Sequence, residues 1–283
     1  MIFRRITFAL IFCAAAWFLW TNIRPDSPPE TPPTEPPEPT ESRSQIPTTP
    51  AQSPDTQEPL NFTFTSMGGH EISGRIHMGD SPRSPLVLLV HGLKGGMERW
   101  SPVLSRWTRD RGITWVQIGL RDALPADAEK QELAPEDGNA WAGHLADVRG
   151  ALATLRARSD LTPSAIGILA EDLGGSLALL VAAEEESVWC IAWLQPGLQY
   201  RKLNIRPSAR QLGTRPALYV ATASDGYARH SARALAELSS GAEAWIIDSS
   251  SAHGADLLHA DPASAETLRE WLTEALKSAP PRR

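Results

Sequence analysis

The chain has 283 residues, 42% of them hydrophobic, and a formal net charge of −6. That is material for one substantial core, with a remainder that cannot belong to it. No basic stripe with interleaved aromatics occurs beyond residue 60, so nucleic acid is not an expected partner, and the two cysteines, Cys13 and Cys190, fall in different segments, so neither an intradomain disulfide nor a cysteine metal site is expected.

The first 24 residues read as a membrane-targeting segment. Arg4 and Arg5 precede an apolar run from Ile6 to Trp20, extendable to Ile23, close to the roughly 20 residues that span a bilayer. Basic residues before the run and acidic ones after it favour a cytoplasmic N-terminus with the rest of the chain exported. An uncleaved anchor is the expectation, because Trp17-Phe18-Leu19-Trp20 continues the apolar run beyond the small residues Ala14 to Ala16; cleavage there, giving a secreted protein, is the alternative. Cys13 follows the bulky Phe12, which argues against lipidation.

Residues 25–59 contain twelve of the 24 prolines, seven acids, one arginine and no aromatic residue. Such a segment cannot bury enough apolar surface to fold. In extended polyproline geometry it would hold a domain up to roughly 100 Å from the membrane. It reads as a disordered spacer.

Residues 60–283 read as one folded domain. Two short strands, 61–66 and 71–78, are joined through Gly68-Gly69 in the manner of an antiparallel hairpin. Strands then follow at 85–91, 112–119, 165–170, 189–194, 217–222 and 244–248, alternating with helices near 99–109, 140–158, 171–183, 228–239 and 263–277. The run Leu86-Val-Leu-Leu-Val90 is continuous and apolar, as in a strand covered on both faces. Alternation with short connections predicts an α/β domain, a doubly wound, mostly parallel sheet of about eight strands with helices on both faces.

The stretch Ile166 to Leu180 organises the site. A buried strand, a glycine-bearing corner and an apolar helix that opens at once are the parts of a nucleophile elbow, with Asp172 at the apex where most elbows carry Ser. Ser176 fails as an alternative apex on register, since it would leave Glu171 and Asp172 unpaired inside a buried strand. Four motifs fall at strand ends: His91-Gly92, the elbow Glu171-Asp172-Leu173-Gly174-Gly175, Ser224-Asp225 and His253-Gly254. Ligands collect at that end of an open α/β sheet.

On these motifs, in this order, the domain resembles the α/β-hydrolases, closest to small lidless esterase and dienelactone-hydrolase-like members without a cap domain. The resemblance implies triad positions for Asp172, Asp225 and His253, and backbone oxyanion-hole donors at Leu93 and Leu173. It implies no metal and no cofactor, and a small-molecule substrate or ligand. Asp172-Leu-Gly-Gly175 also resembles the elbow of haloalkane dehalogenases and epoxide hydrolases, in which a carboxylate forms an ester intermediate. Two features depart from those enzymes: only about twenty residues, 195–215, separate the sixth and seventh strands, too few for their helical cap, and Leu173 stands where they carry an aromatic residue.

Two functions stay open. The domain is a hydrolase with an atypical Asp, or a catalytically degraded domain that binds a ligand or serves as a scaffold. Glu171 and Asp225 favour the second, because acids around His253 would hold it protonated and unfit as a base. The tryptophans at 100, 107, 189, 193, 245 and 271 read as core, and His70, His77, His144 and His230 as surface or satisfied core. Asp147 reads as a solvated or capping residue. Trp141, Tyr200 and Tyr227 are the candidates for a pocket wall.

Overall fold

The computed structural model describes residues 58–123, 141–200 and 203–281. The expected anchor, and all of the expected spacer but residues 58 and 59, lie outside these residues. Among the described residues no helix is long and apolar enough to cross a membrane.

An antiparallel hairpin opens the sheet. Strands β1 (Leu60–Thr65) and β2 (Glu71–His77) pair with Phe62 opposite Gly74. The turn between them carries Gly68 and Gly69 at φ +79° and +80°, a backbone that side chains resist. Six parallel strands follow: β3 (Leu86–Val90), β4 (Thr114–Ile118), β5 (Ile166–Glu171), β6 (Val188–Leu194), β9 (Ala217–Thr222) and β10 (Ala242–Ile247). Their order across the sheet is β1-β2-β4-β3-β5-β6-β9-β10, with β2 antiparallel to both its neighbours. Strands β3, β4, β5 and β9 are buried along their whole length, which explains the unbroken apolar run of β3.

Helices cover both faces. On one face α2 (Ala142–Ala157), α3 (Asp172–Glu184), α4 (Arg206–Gln211) and α5 (Gly226–Ala236) pack against alternate strand residues such as Leu88, Ile168 and Tyr219. On the other, α1 (Ser101–Trp107), α6 (Ala255–Ala260) and α7 (Pro262–Lys277) cover Val87, Leu89 and Leu169. The period-2 alternation of strand side chains is what divides the core into these two layers.

After β3 the chain turns outward to β4, then crosses back to β5 on β3's other side. The carboxyl ends of β3 and β5 therefore flank a topological switch point, the place where the two connections diverge and leave a crevice. His91-Gly92 and Asp172 stand at those two ends.

Three local features differ from the sequence expectation. The helix near 99–109 begins as a 3-10 turn, Met97–Trp100, before α1, with Pro102 in its first turn. Between β6 and β9 lie a small hairpin, β7 (Gln199–Tyr200) with β8 (Leu203–Asn204), and α4, whose strands are too short to carry a periodic signal. Helix α6 starts two residues after His253, where a loop was expected; its Leu257 and Leu258 are buried against the sheet.

Candidate active site

At the end of β5 the backbone reverses within one residue. Glu171 is extended, at φ −127°, and Asp172 is left-handed, at φ +47°. Such a φ is uncommon outside glycine and places a side chain at the tip of the bend. The glycines behind it make the bend possible. A Cβ on Gly174 would lie 2.2 Å from the His91 carbonyl oxygen, and one on Gly175 would lie 1.9 Å from Trp193 Nε1. Trp193 in turn donates from Nε1 to the Asp172 carbonyl at 3.0 Å, bracing the apex from below. Ser176 is buried within α3 and is not the apex.

His253 comes to the apex from the loop after β10. Its Nε2 is 2.6 Å from Asp172 Oδ1. Asp225, on the loop after β9, stands 3.8 Å from Nδ1, beyond hydrogen-bond reach. Its Oδ1 instead accepts from the Ala228 N–H and caps α5, which draws the carboxylate toward the helix. The hydrogen bond to Asp172 raises the His253 pKa above its ordinary value against the opposing effect of burial, and the charges of Asp172, Asp225 and Glu171 add to the rise. His253 and Asp172 are partly open to water, at 53% and 38% side-chain exposure.

The loop after β3 closes against the apex. A Cβ on Gly92 would lie 3.2 Å from Asp172 Oδ2, so glycine is what lets the two loops meet. His91 is buried and fixed at both ring nitrogens: Nε2 accepts from the Leu120 N–H at 2.9 Å, which leaves Nδ1 to donate to the Gly92 carbonyl at 2.5 Å. Burial pushes its pKa down to about 4. His91 is thus a neutral brace for the loop. Among the described residues neither the Leu93 nor the Leu173 N–H has a protein acceptor, and Leu173 lies in the first turn of α3, where amides have no intrahelical partner.

Glu171 is fully buried. Its carboxylate accepts from Arg99 Nε at 2.8 Å and Nη2 at 3.4 Å, from the Ala255 N–H at 2.6 Å and from the Gly92 N–H at 3.3 Å. Burial pushes its pKa up, and the Arg99 guanidinium opposes that rise. Arg99 also reaches the His253 carbonyl at 3.5 Å and Asp256 at 3.3 Å. Sequence reasoning named Glu171 but not its cation. A carboxylate ending an apolar buried strand needs a partner, but nothing in the sequence marks which residue supplies it.

Two further residues depart from expectation. Asp147 is not solvated: it is buried on α2 and gripped by Arg121 through Nε, Nη2 and the backbone N–H. Burial alone would raise its pKa, but the Arg121 hydrogen bonds hold it below the ordinary value. Gln195, at the end of β6 with φ +53°, was not singled out; its side chain donates to Thr222 Oγ1 at 3.0 Å and to the Ala252 carbonyl at 3.5 Å, beside His253. Of the candidate wall residues, Trp141 is buried edge-on to Tyr200 at 5.6 Å, while the exposed Tyr227 clasps the Gln199 backbone through its hydroxyl.

No family model matches the chain, and no curated protein matches it in sequence. Solved structures do match. An esterase of Pyrococcus furiosus is similar at 13% identity and TM-score 0.59, over 77% of this chain and 91% of that one. The enol-lactonase of Burkholderia xenovorans is similar at 16% identity and TM-score 0.55, over 75% of this chain and 99% of that one. Brefeldin A esterase, a bacterial homologue of human hormone-sensitive lipase, is similar at 18% identity and TM-score 0.55, over 78% of this chain and 76% of that one. The fold is that of an α/β-hydrolase.

Proposed function

We propose that the domain is a hydrolase that uses Asp172 as a carboxylate nucleophile on an ester or related small molecule with an oxygen leaving group. The observation that carries this reading is the pairing of Asp172 Oδ1 with His253 Nε2 at 2.6 Å, at a backbone bend that points the carboxylate outward. A raised His253 pKa fits the first step. The Asp172 carboxylate forms a bond to the saturated carbon that carries the leaving oxygen, the bond to that oxygen breaks with its electron pair, and the oxygen takes the proton from Nε2, leaving Asp172 as an ester.

Covalent capture changes the electrostatics. Once Asp172 is esterified it carries no charge, and the principal cause of the raised His253 pKa is gone. His253, now neutral, can accept a proton from water as that water attacks the enzyme ester. The Asp172–substrate bond breaks, the carboxylate is restored and His253 is again protonated. One water is consumed and two hydroxyl-bearing products leave. Negative charge on the esterified carbonyl would fall to the Leu93 and Leu173 N–H groups, and one such donor is typically worth about 3 kcal/mol of barrier.

The second reading, a degraded domain that binds without turnover, draws on the 3.8 Å gap between Asp225 and Nδ1, which leaves the imidazole oriented from the Asp172 side alone. In either reading residues 1–24 anchor the chain in a membrane and residues 25–59 space an exported domain from it. The support is Arg4 and Arg5 before the apolar run and the proline density after it.

The test is a panel of esters, lactones, epoxides and haloalkanes offered to the full chain in mild detergent, beside His253→Ala, Asp172→Asn and Asp172→Ser. Turnover that disappears in both His253→Ala and Asp172→Asn supports the hydrolase. Silence of the unmodified chain with ester hydrolysis by Asp172→Ser supports the binding module instead.

A further inference from the structure

We infer that Glu171 is a positioning residue, a buried carboxylate that sets the distance between the oxyanion-hole loop and the histidine loop. The inference deepens the hydrolytic reading and rests on it. Glu171 accepts from Gly92, the residue before Leu93, and from Ala255, two residues after His253. One side chain therefore holds the backbone on both sides of the apex. Arg99, from the turn before α1, closes the arrangement by binding the same carboxylate and the His253 carbonyl.

Simple packing does not call for this arrangement. A fully buried charge is expensive to desolvate even when paired, and an apolar side chain at such a site is often neutral or stabilising. The acid supplies something an apolar residue cannot, an acceptor for two amides that belong to different loops. The histidine loop is shaped to reach it. Gly254 is left-handed at φ +58°, and a Cβ there would lie 2.1 Å from Glu171 Oε2, so the loop meets the carboxylate with no side chain between. Because the Gly92 and Ala255 bonds end on one carboxylate, movement of either loop is felt by the other.

Glu171→Gln separates the two roles of the group. The amide keeps the shape and one acceptor oxygen, but its NH2 cannot accept from a backbone N–H and faces the Arg99 guanidinium with donor against donor. The experiment uses the full chain in detergent with 15N-labelled histidine and two readouts. The first is the His253 Nε2–H resonance shifted downfield by Asp172. The second is the split of kcat from KM on the substrate class identified by the panel above.

In Glu171→Gln the resonance broadens away and kcat falls about 100-fold with KM little changed, the loss typical of a reacting group misplaced by about 1 Å. Persistence of the resonance together with an unchanged kcat overturns the inference. Should Glu171→Gln fail to fold, Arg99→Lys, which keeps a cation beside the buried carboxylate but cannot bind it through two nitrogens and reach the His253 carbonyl as well, replaces it with the same readouts and losses in the same direction. The two readouts also separate this inference from the reading beneath it. Loss of the resonance in a chain that never shows turnover leaves the positioning role standing and removes the hydrolase. Turnover with the resonance intact in Glu171→Gln does the reverse.

Discussion

The acid nearest to His253 is the apex residue Asp172, 2.6 Å from Nε2, and not Asp225, which stands 3.8 Å from the opposite nitrogen. A serine in this place would present a hydroxyl to the imidazole, whereas the carboxylate presents a charge. The charge state of the ring is therefore governed from the nucleophile side.

This arrangement predicts a titration. His253 should lose its proton above the ordinary histidine value of 6.5, and Asp172→Asn should bring it back toward that value. The contribution to stability has a definite sign. A folded-state pKa above the unfolded one gives stabilisation that is complete below pH 6.5 and is lost as pH rises through the folded value. Histidine NMR titration of the two proteins checks it; a His253 midpoint at or below 6.5 in the unmodified chain sinks the idea.

His91 predicts the opposite dependence. Its pKa falls from 6.5 to about 4 on folding, so the unfolded chain binds the proton first, and the stabilisation present above pH 6.5 drains away as pH falls toward 4. The whole effect is on the order of 3 kcal/mol. The urea midpoint should fall further between pH 7 and pH 4.5 for the unmodified protein than for His91→Gln, which cannot titrate. Equal slopes would mean that His91 is not the group responsible.

Gly175→Ala tests the close approach of α3 to β6. A helical Gly to Ala change ordinarily gains about 1 kcal/mol. Here the added methyl lands 1.9 Å from Trp193 Nε1, and overpacking of that kind costs roughly 1–3 kcal/mol or more while disturbing the Trp193 bond to the apex carbonyl. The expected result is a lower unfolding midpoint. A higher one would show that Trp193 swings aside without loss.

Arg121→Met should be among the more damaging single changes, because it strands the buried Asp147 charge. Removing one partner of such a pair costs about 3–5 kcal/mol, whereas replacing both with apolar residues is often close to neutral. Denaturant unfolding of Arg121→Met, Asp147→Leu and the double variant forms the cycle. A double variant no more stable than Arg121→Met argues against a stranded charge as the cause.

Much of the sheet was legible because its strands declare themselves. A run such as Leu86 to Val90, buried on both faces, needs no partner to be recognised. The apex was legible from Gly174 and Gly175, whose smallness has a purpose only if strand and helix nearly touch. Arg99 was not, since 72 residues separate it from Glu171 and nothing local marks which arginine turns inward. Asp147 was misread for the same reason: on a helix an acid facing water and an acid facing Arg121 look alike until the chain is folded. Helix α6 is six residues long, too short for a periodic pattern to stand out.

The elbow also sets how this sequence can drift. Gly92, Gly174, Gly175 and Gly254 each face another atom where a methyl group would sit, so substitutions there disturb the frame itself. The apex side chain is partly open to water, so its exchange bears less on the packing than a change at any of these glycines. Such a molecule can change its chemistry in one step while its scaffold stays as it is, and a lineage built on it would explore reactions more readily than shapes.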